Sequence, residues 1–116
     1  MRRPALLLPA RARTLERPFG WLPFRLLTQG YWGRLSPAAQ QLYAFLALVA
    51  DPRGVSFYGE ARLTALLHRT PAELRAAQRE LCAADLLALG RGLFQLLALP
   101  PRGPGAGPGP GAPGAA

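Results

Sequence analysis

In 116 residues, fourteen basic side chains stand against six acidic ones, and all fourteen are Arg. That length leaves room for one small domain and is short for an enzyme carrying its own substrate cleft. The single cysteine, Cys82, excludes an internal disulfide and cannot by itself build a zinc site, so a cytosolic compartment is the default expectation.

The net charge of +8 points to an anionic partner. Guanidinium groups suit phosphate because they stay charged and can bind it bidentately. The lack of Lys beside so much Ala, Gly, Pro and Leu has a second reading, the codon usage of a GC-rich genome. The charge is also uneven. Residues 1–25 hold Arg2, Arg3, Arg11, Arg13, Arg17 and Arg25 against Glu16, whereas residues 30–100 hold seven Arg against five acids.

At the start of the chain, residues 5–8 form an apolar run between Pro4 and Pro9. It is too short for a secretory signal and far below the roughly 20 residues of a membrane span. The two prolines also disfavour the amphipathic helix of an organelle presequence. Residues 1–17 are therefore expected to be a flexible basic arm. From residue 18 to 35, Phe19, Trp21, Phe24, Tyr31 and Trp32 form an aromatic lead-in. Pro23 can start a short helix through Leu27, and Gly30 can end it. Without regularly interleaved basic residues, these rings read as core or interface and not as base-stacking platforms.

Ser36-Pro37 opens the first full helix, with Ser as N-cap and Pro at the first helical position, and the helix is expected to reach Ala50. Leu42, Phe45, Leu46 and Val49 make its core stripe. Tyr43, Ala47 and Leu48 make other faces apolar too, which calls for cover from the lead-in or from a second subunit. Asp51-Pro52-Arg53-Gly54 is a turn, and residues 55–58 read as a small strand.

A second helix is expected over residues 60–67 with Leu63, Leu66 and Leu67 inward. After a break at His68-Arg69, Thr70-Pro71-Ala72-Glu73 is the sharpest start signal in the chain: a hydroxyl N-cap, Pro at the first position, and Glu placed to close a capping box. The third helix should run over residues 71–84, with Leu74, Ala77 and Leu81 inward and Arg75, Ala76, Arg79 and Ala83 outward. Asp85 can take the left-handed stop. His tolerates a left-handed backbone better than most residues, so His68 reads as a structural residue of the break, and Cys82 reads as a small buried or half-buried residue.

Residues 86–89 and 93–99 flank Gly90-Arg91-Gly92 as a β-hairpin. Residues 101–116 are Pro/Gly/Ala low complexity, expected to be disordered. The expected organisation is thus an arm over residues 1–17, a domain over residues 18–100 and a tail over residues 101–116.

The order helix, short strand, helix, turn, helix, hairpin is that of the winged-helix variant of the helix-turn-helix, mainly α with a small β-hairpin. The stretch FYGEARLTALLHRTPAELRAAQRELCAADLL resembles the helix-turn-helix of bacterial winged-helix proteins, including transcriptional regulators and plasmid or phage replication proteins. Leu63, Leu67, Thr70, Leu74, Arg79-Glu80-Leu81 and Asp85-Leu86-Leu87 occupy the family's positions. The lead-in LPFRLLTQGYWGRLSPAAQQLYAFLALVAD is similar to the segment preceding the motif in replication-protein-like members. The chain departs from the pattern at His68, where Gly is usual, at Arg69, usually apolar, at Gln78, where Leu is common, and at a wing with one Arg.

The resemblance implies a third helix lying in the major groove of double-stranded DNA, with the hairpin tip near the backbone or minor groove. Position by position, Ala72, Glu73, Arg75, Ala76 and Arg79 would face bases, Arg69 and Thr70 would lie near phosphate, and Arg91 would sit at the wing. Ala72 and Ala76 can offer only methyl contacts to thymine, so Arg75 is the strongest candidate for a guanine contact.

There is no phosphate loop, HExxH, CxxC or carboxylate pair at catalytic spacing. No enzymatic activity, cofactor, metal or membrane association is expected. The expected function is DNA binding by a cytoplasmic or nucleoid-associated protein, as a transcriptional regulator or an accessory factor of replication or a mobile element. The alternative is a winged-helix module for dimerisation or protein binding, through the first helix and the aromatic lead-in, without sequence-specific DNA contact.

Overall fold

The computed structural model describes residues 4–101. The low-complexity tail from residue 102, Arg2 and Arg3 lie outside the described residues. A 3-10 turn at Pro9–Arg11 precedes two short helices, α1 (Arg25–Thr28) and α2 (Tyr31–Arg34). Then follow α3 (Pro37–Val49), β1 (Val55–Ser56), α4 (Glu60–Leu67), α5 (Pro71–Ala83), β2 (Leu87–Gly90) and β3 (Leu93–Leu96). The described residues thus form a helix-rich body with a small antiparallel sheet in the order β1-β3-β2, and among them no helix is long and apolar enough to cross a membrane.

The helix starts follow the capping signals. Ser36 Oγ accepts the Ala39 N–H at 3.2 Å, and Pro37 and Pro71 occupy first helical positions. Gly30, left-handed at φ +81°, follows the end of α1 as expected, but one helix was not anticipated: α2 begins directly after it. The strand expected over residues 55–58 is only two residues long, because Phe57 turns out to solvent and the Tyr58 ring packs edge-on to Phe45 at 5.1 Å.

The core gathers Ala39, Leu42, Tyr43 and Leu46 of α3, Leu63 and Leu67 of α4, Leu74, Ala77 and Leu81 of α5, then Leu86, Leu87 and Phe94. Leu66 is exposed, contrary to the expectation: Leu63 and Leu67 stack one turn apart and exhaust the buried line of this two-turn helix. Cys82 is exposed as well, since it follows Arg75 and Arg79 on the face opposite Leu74, Ala77 and Leu81.

Cover for α3's second face comes from the lead-in. Trp32 packs edge-on against Tyr43 at 6.3 Å, and Gly20 lies so close that a methyl there would meet the Ala47 carbonyl oxygen and Leu48 Cα. Arg25 donates to Gln29 Oε1 at 3.2 Å and to the Pro100 carbonyl, tying the lead-in to the chain after β3.

The polar contact between the two longest helices is local in space and remote in sequence. Glu80 Oε2 accepts the Ser36 N–H at 2.7 Å, and Glu80 Oε1 accepts the Ser36 hydroxyl at 2.7 Å. A carboxylate from α5 thereby sits on the N-terminus of α3, where free N–H groups and the helix dipole favour negative charge. Similarly, Gln41 of α3 donates to the Leu67 carbonyl at 3.1 Å and accepts from Arg69 Nε at 2.7 Å, holding the turn between α4 and α5.

Two stability predictions follow from these contacts. Glu80→Ala should cost about 1–3 kcal/mol, because it strips a half-buried backbone donor and hydroxyl of their charged acceptor. Urea denaturation with an unchanged slope should show it; a loss within experimental error would mean that solvent replaces the carboxylate. Ser56 is buried with its hydroxyl unpartnered, so Ser56→Ala should leave the melting temperature unchanged or raise it, and a clear fall would contradict this.

Candidate nucleic-acid interface

The turn from α4 to α5 is built from residues that accept its backbone. His68 has φ +54° and ψ +46°, the left-handed end of α4. Thr70 then starts α5 with a complete capping box: its N–H donates to Glu73 Oε1 at 2.8 Å, and its Oγ1 accepts the Glu73 N–H at 3.1 Å. The Thr70 N–H holds the Glu73 carboxyl below its ordinary value, with the charge of Arg69 adding to the effect.

Beyond the cap, Ala72, Arg75, Ala76, Arg79 and Ala83 are all exposed, a single outer face at helical spacing. At the other end, Asp85 takes φ +63° and the chain enters β2. The hairpin closes on a two-residue turn, Arg91-Gly92, with φ +53° and +73°, both positive as a type I′ turn requires. Gly90 belongs to β2 and pairs with Leu93, so the tip is one residue shorter than the Gly90-Arg91-Gly92 expected. Arg91 stands exposed at this tip.

The arginines of this region differ in how they are held. Arg69 is half-buried, bonded to Gln41, with Nη1 3.7 Å from Glu73 Oε2. Arg75 donates Nε to Glu60 Oε2 at 3.0 Å across the gap between α5 and the first turn of α4. Arg79 and Arg91 are exposed and make no hydrogen bond or ion pair among the described residues. Glu60 and Gln41 were not singled out from the sequence. Their signal is one of position in space, since fifteen residues separate Glu60 from Arg75 and twenty-eight separate Gln41 from Arg69.

A concavity of about 680 Å³ lies apart from this face, between the lead-in, the C-terminal half of α3 and residues 96–99, with Phe19, Trp21, Arg25 and Tyr43 in its walls. Burial raises the Tyr43 phenol pKa, which keeps it a neutral donor. Cys82 is exposed, but its thiol is partly desolvated by its surroundings, which raises its pKa and disfavours the thiolate. Among the described residues, no three His, Cys, Asp or Glu side chains converge as a metal ion would need.

No protein-family model, curated protein or solved structure matches this chain.

The depressed Glu73 carboxyl has a definite sign in acid. Its contribution to stability is present above the ordinary carboxylate value and is lost as pH falls through the lower folded value. Asp51, held down first by the Val55 N–H and then by Arg53, loses its share in the same direction. Glu73→Gln should therefore weaken, without abolishing, the loss of stability between pH 5 and about pH 2. Denaturant midpoints at both ends of that range test this, and parallel losses in parent and variant would rule out the assignment.

Proposed function

We propose that this protein is a winged helix-turn-helix that binds double-stranded DNA, with α5 in the major groove and β2 and β3 as the wing. It would act as a transcriptional regulator or as an accessory factor of replication or a mobile element. The observation that carries this reading is the uncovered outer face of α5, which bears Arg75 and Arg79 alongside the methyl groups of Ala72, Ala76 and Ala83. Small residues let a helix backbone come close to the groove floor, and arginines reach guanine edges or phosphates from there. The unpaired Arg91 at the hairpin tip suits a backbone contact, and the arginines of residues 1–17 add affinity that does not depend on sequence.

One observation favours a second reading, a module for binding protein. Trp21, Phe24, Leu27 and Leu48 are all exposed around the lead-in and α3, and clustered apolar residues at a surface mark interaction sites.

The two readings separate in a salt titration of binding to a random-sequence duplex. For the intact chain, log affinity should fall linearly with log salt, losing about 0.9 of slope per phosphate contact removed. Arg75→Ala with Arg79→Ala should weaken binding and flatten the slope by about 1 or more, even with the arm present. Deleting residues 1–17 should flatten it further. If only the arm deletion matters, or no duplex is bound at low salt, the protein-binding reading takes over.

A further inference from the structure

We propose that Glu60 is a specificity-determining positioning residue, which presets Arg75 to read a guanine in the major groove. This rests on the DNA-binding reading above and adds to it a division of labour among the arginines.

The argument begins with the shape of the guanidinium group. It has five N–H donors in a planar fork, and the two terminal nitrogens form the end that can grip two acceptors at once. Glu60 Oε2 takes the Nε–H of Arg75 at 3.0 Å. The terminal nitrogens have no other partner among the described residues. The side of the fork is thus anchored to the protein while its end stays available. Guanine presents O6 and N7 as paired acceptors in the major groove, the pattern that this end matches. Anchoring also removes rotamer freedom from a long side chain before DNA arrives, so less is lost on binding.

Charge selects the target. A carboxylate 3.0 Å from the guanidinium nearly cancels its charge, and the carboxylate repels phosphate oxygens. The pair is therefore a poor phosphate anchor and a suitable reader of an uncharged base edge. Arg79, on the same outer face, and Arg91, at the hairpin tip, carry no such partner among the described residues, which fits them to phosphate. Arg69 resembles Arg75 in being held, but half-buried and tied to Gln41 it serves the turn.

Simple electrostatics and this proposal predict separable effects of Glu60→Ala, one on overall affinity and one on base choice. Removing an acid from a DNA-facing surface should strengthen binding to every duplex, whereas losing the anchor should relax base choice. Glu60 is exposed, at the first turn of α4, and exposed ion pairs contribute little to folding, so the variant should keep its melting temperature.

The test is selection of bound duplexes from a random-sequence pool by the full-length chain, followed by sequencing and by affinity measurements on the selected site and its single-base variants. The parent chain should enrich a site with one position fixed as guanine, preferred roughly 5- to 150-fold over other bases, the range of one bidentate contact. Arg75→Lys, which keeps the charge but lacks the fork, should lose that preference while holding its salt slope. Glu60→Ala should lose several-fold of it while binding random duplex as well as the parent or better.

If Glu60→Ala keeps the full guanine preference, the positioning role is overturned. If the parent binds duplex through α5 but enriches no guanine position, the positioning role fails while DNA binding stands. If the parent binds no duplex at all, both fail together.

Discussion

The carboxylate of Glu80 on the N-terminus of α3 is the contact on which the arrangement of the helices depends. Both of its oxygens are used, one on the Ser36 N–H and one on the Ser36 hydroxyl that caps the same helix. It fixes the C-terminal half of α5 against the start of α3. One and a half turns further along α3, Gln41 grips the carbonyl of Leu67 and the side chain of Arg69 at the opposite end of α5. Between these two clamps lie Leu74 and Ala77, and just past Glu80 lies Leu81, all packed into the common core with Ala39, Leu42 and Leu46. Apolar packing supplies most of the driving force but is nondirectional. The two polar clamps set which way α5 is rolled, and hence which residues face out.

That roll is what gives meaning to the small charge surplus of the folded body. Seven arginines and five acids over residues 30–100 would be unremarkable if mixed at random. Instead, Glu80 is consumed by a helix end, Glu73 by the capping box, and Glu60 by Arg75. These three glutamates are engaged by the fold, and the arginines separate into held and unheld ones. Glu60, Glu73 and Glu80 each already have a donor, whereas the Asp85 carboxylate, just past the end of α5, is exposed and has none among the described residues.

The lead-in is a second, separate feature. It covers Tyr43 through Trp32 and touches α3 at Gly20, where no side chain would fit. Having covered one face, it presents another, with Trp21 and Phe24 in solvent. Its link through Arg25 to the Pro100 carbonyl ties it to the stretch after β3, and both border the same concavity. The outer face of α5 belongs to other elements, so contacts at one surface need not exclude contacts at the other.

Local signals were legible where the chemistry is local. Ser36-Pro37 and Thr70-Pro71 with Glu73 announce helix starts because capping involves residues three apart, and α4 and α5 lie where those signals and the apolar spacing put them. Left-handed His68 and Asp85 follow from side chains that tolerate that backbone. The exposure of Leu66 and Cys82 was not legible, because an apolar residue's burial depends on how wide a neighbouring surface is. Nor was α2, since Gly30 can either stop a helix or turn the chain into another. By itself, the sequence determined the starts of α3 and α5, the break at His68 and the inward line of α5. Only the tertiary structure decided which arginines are held and which are not, because Glu60, Gln41 and Glu80 meet their partners across fifteen to forty-four residues of chain. No periodicity in a single sequence encodes a contact at that separation; packing brings it about.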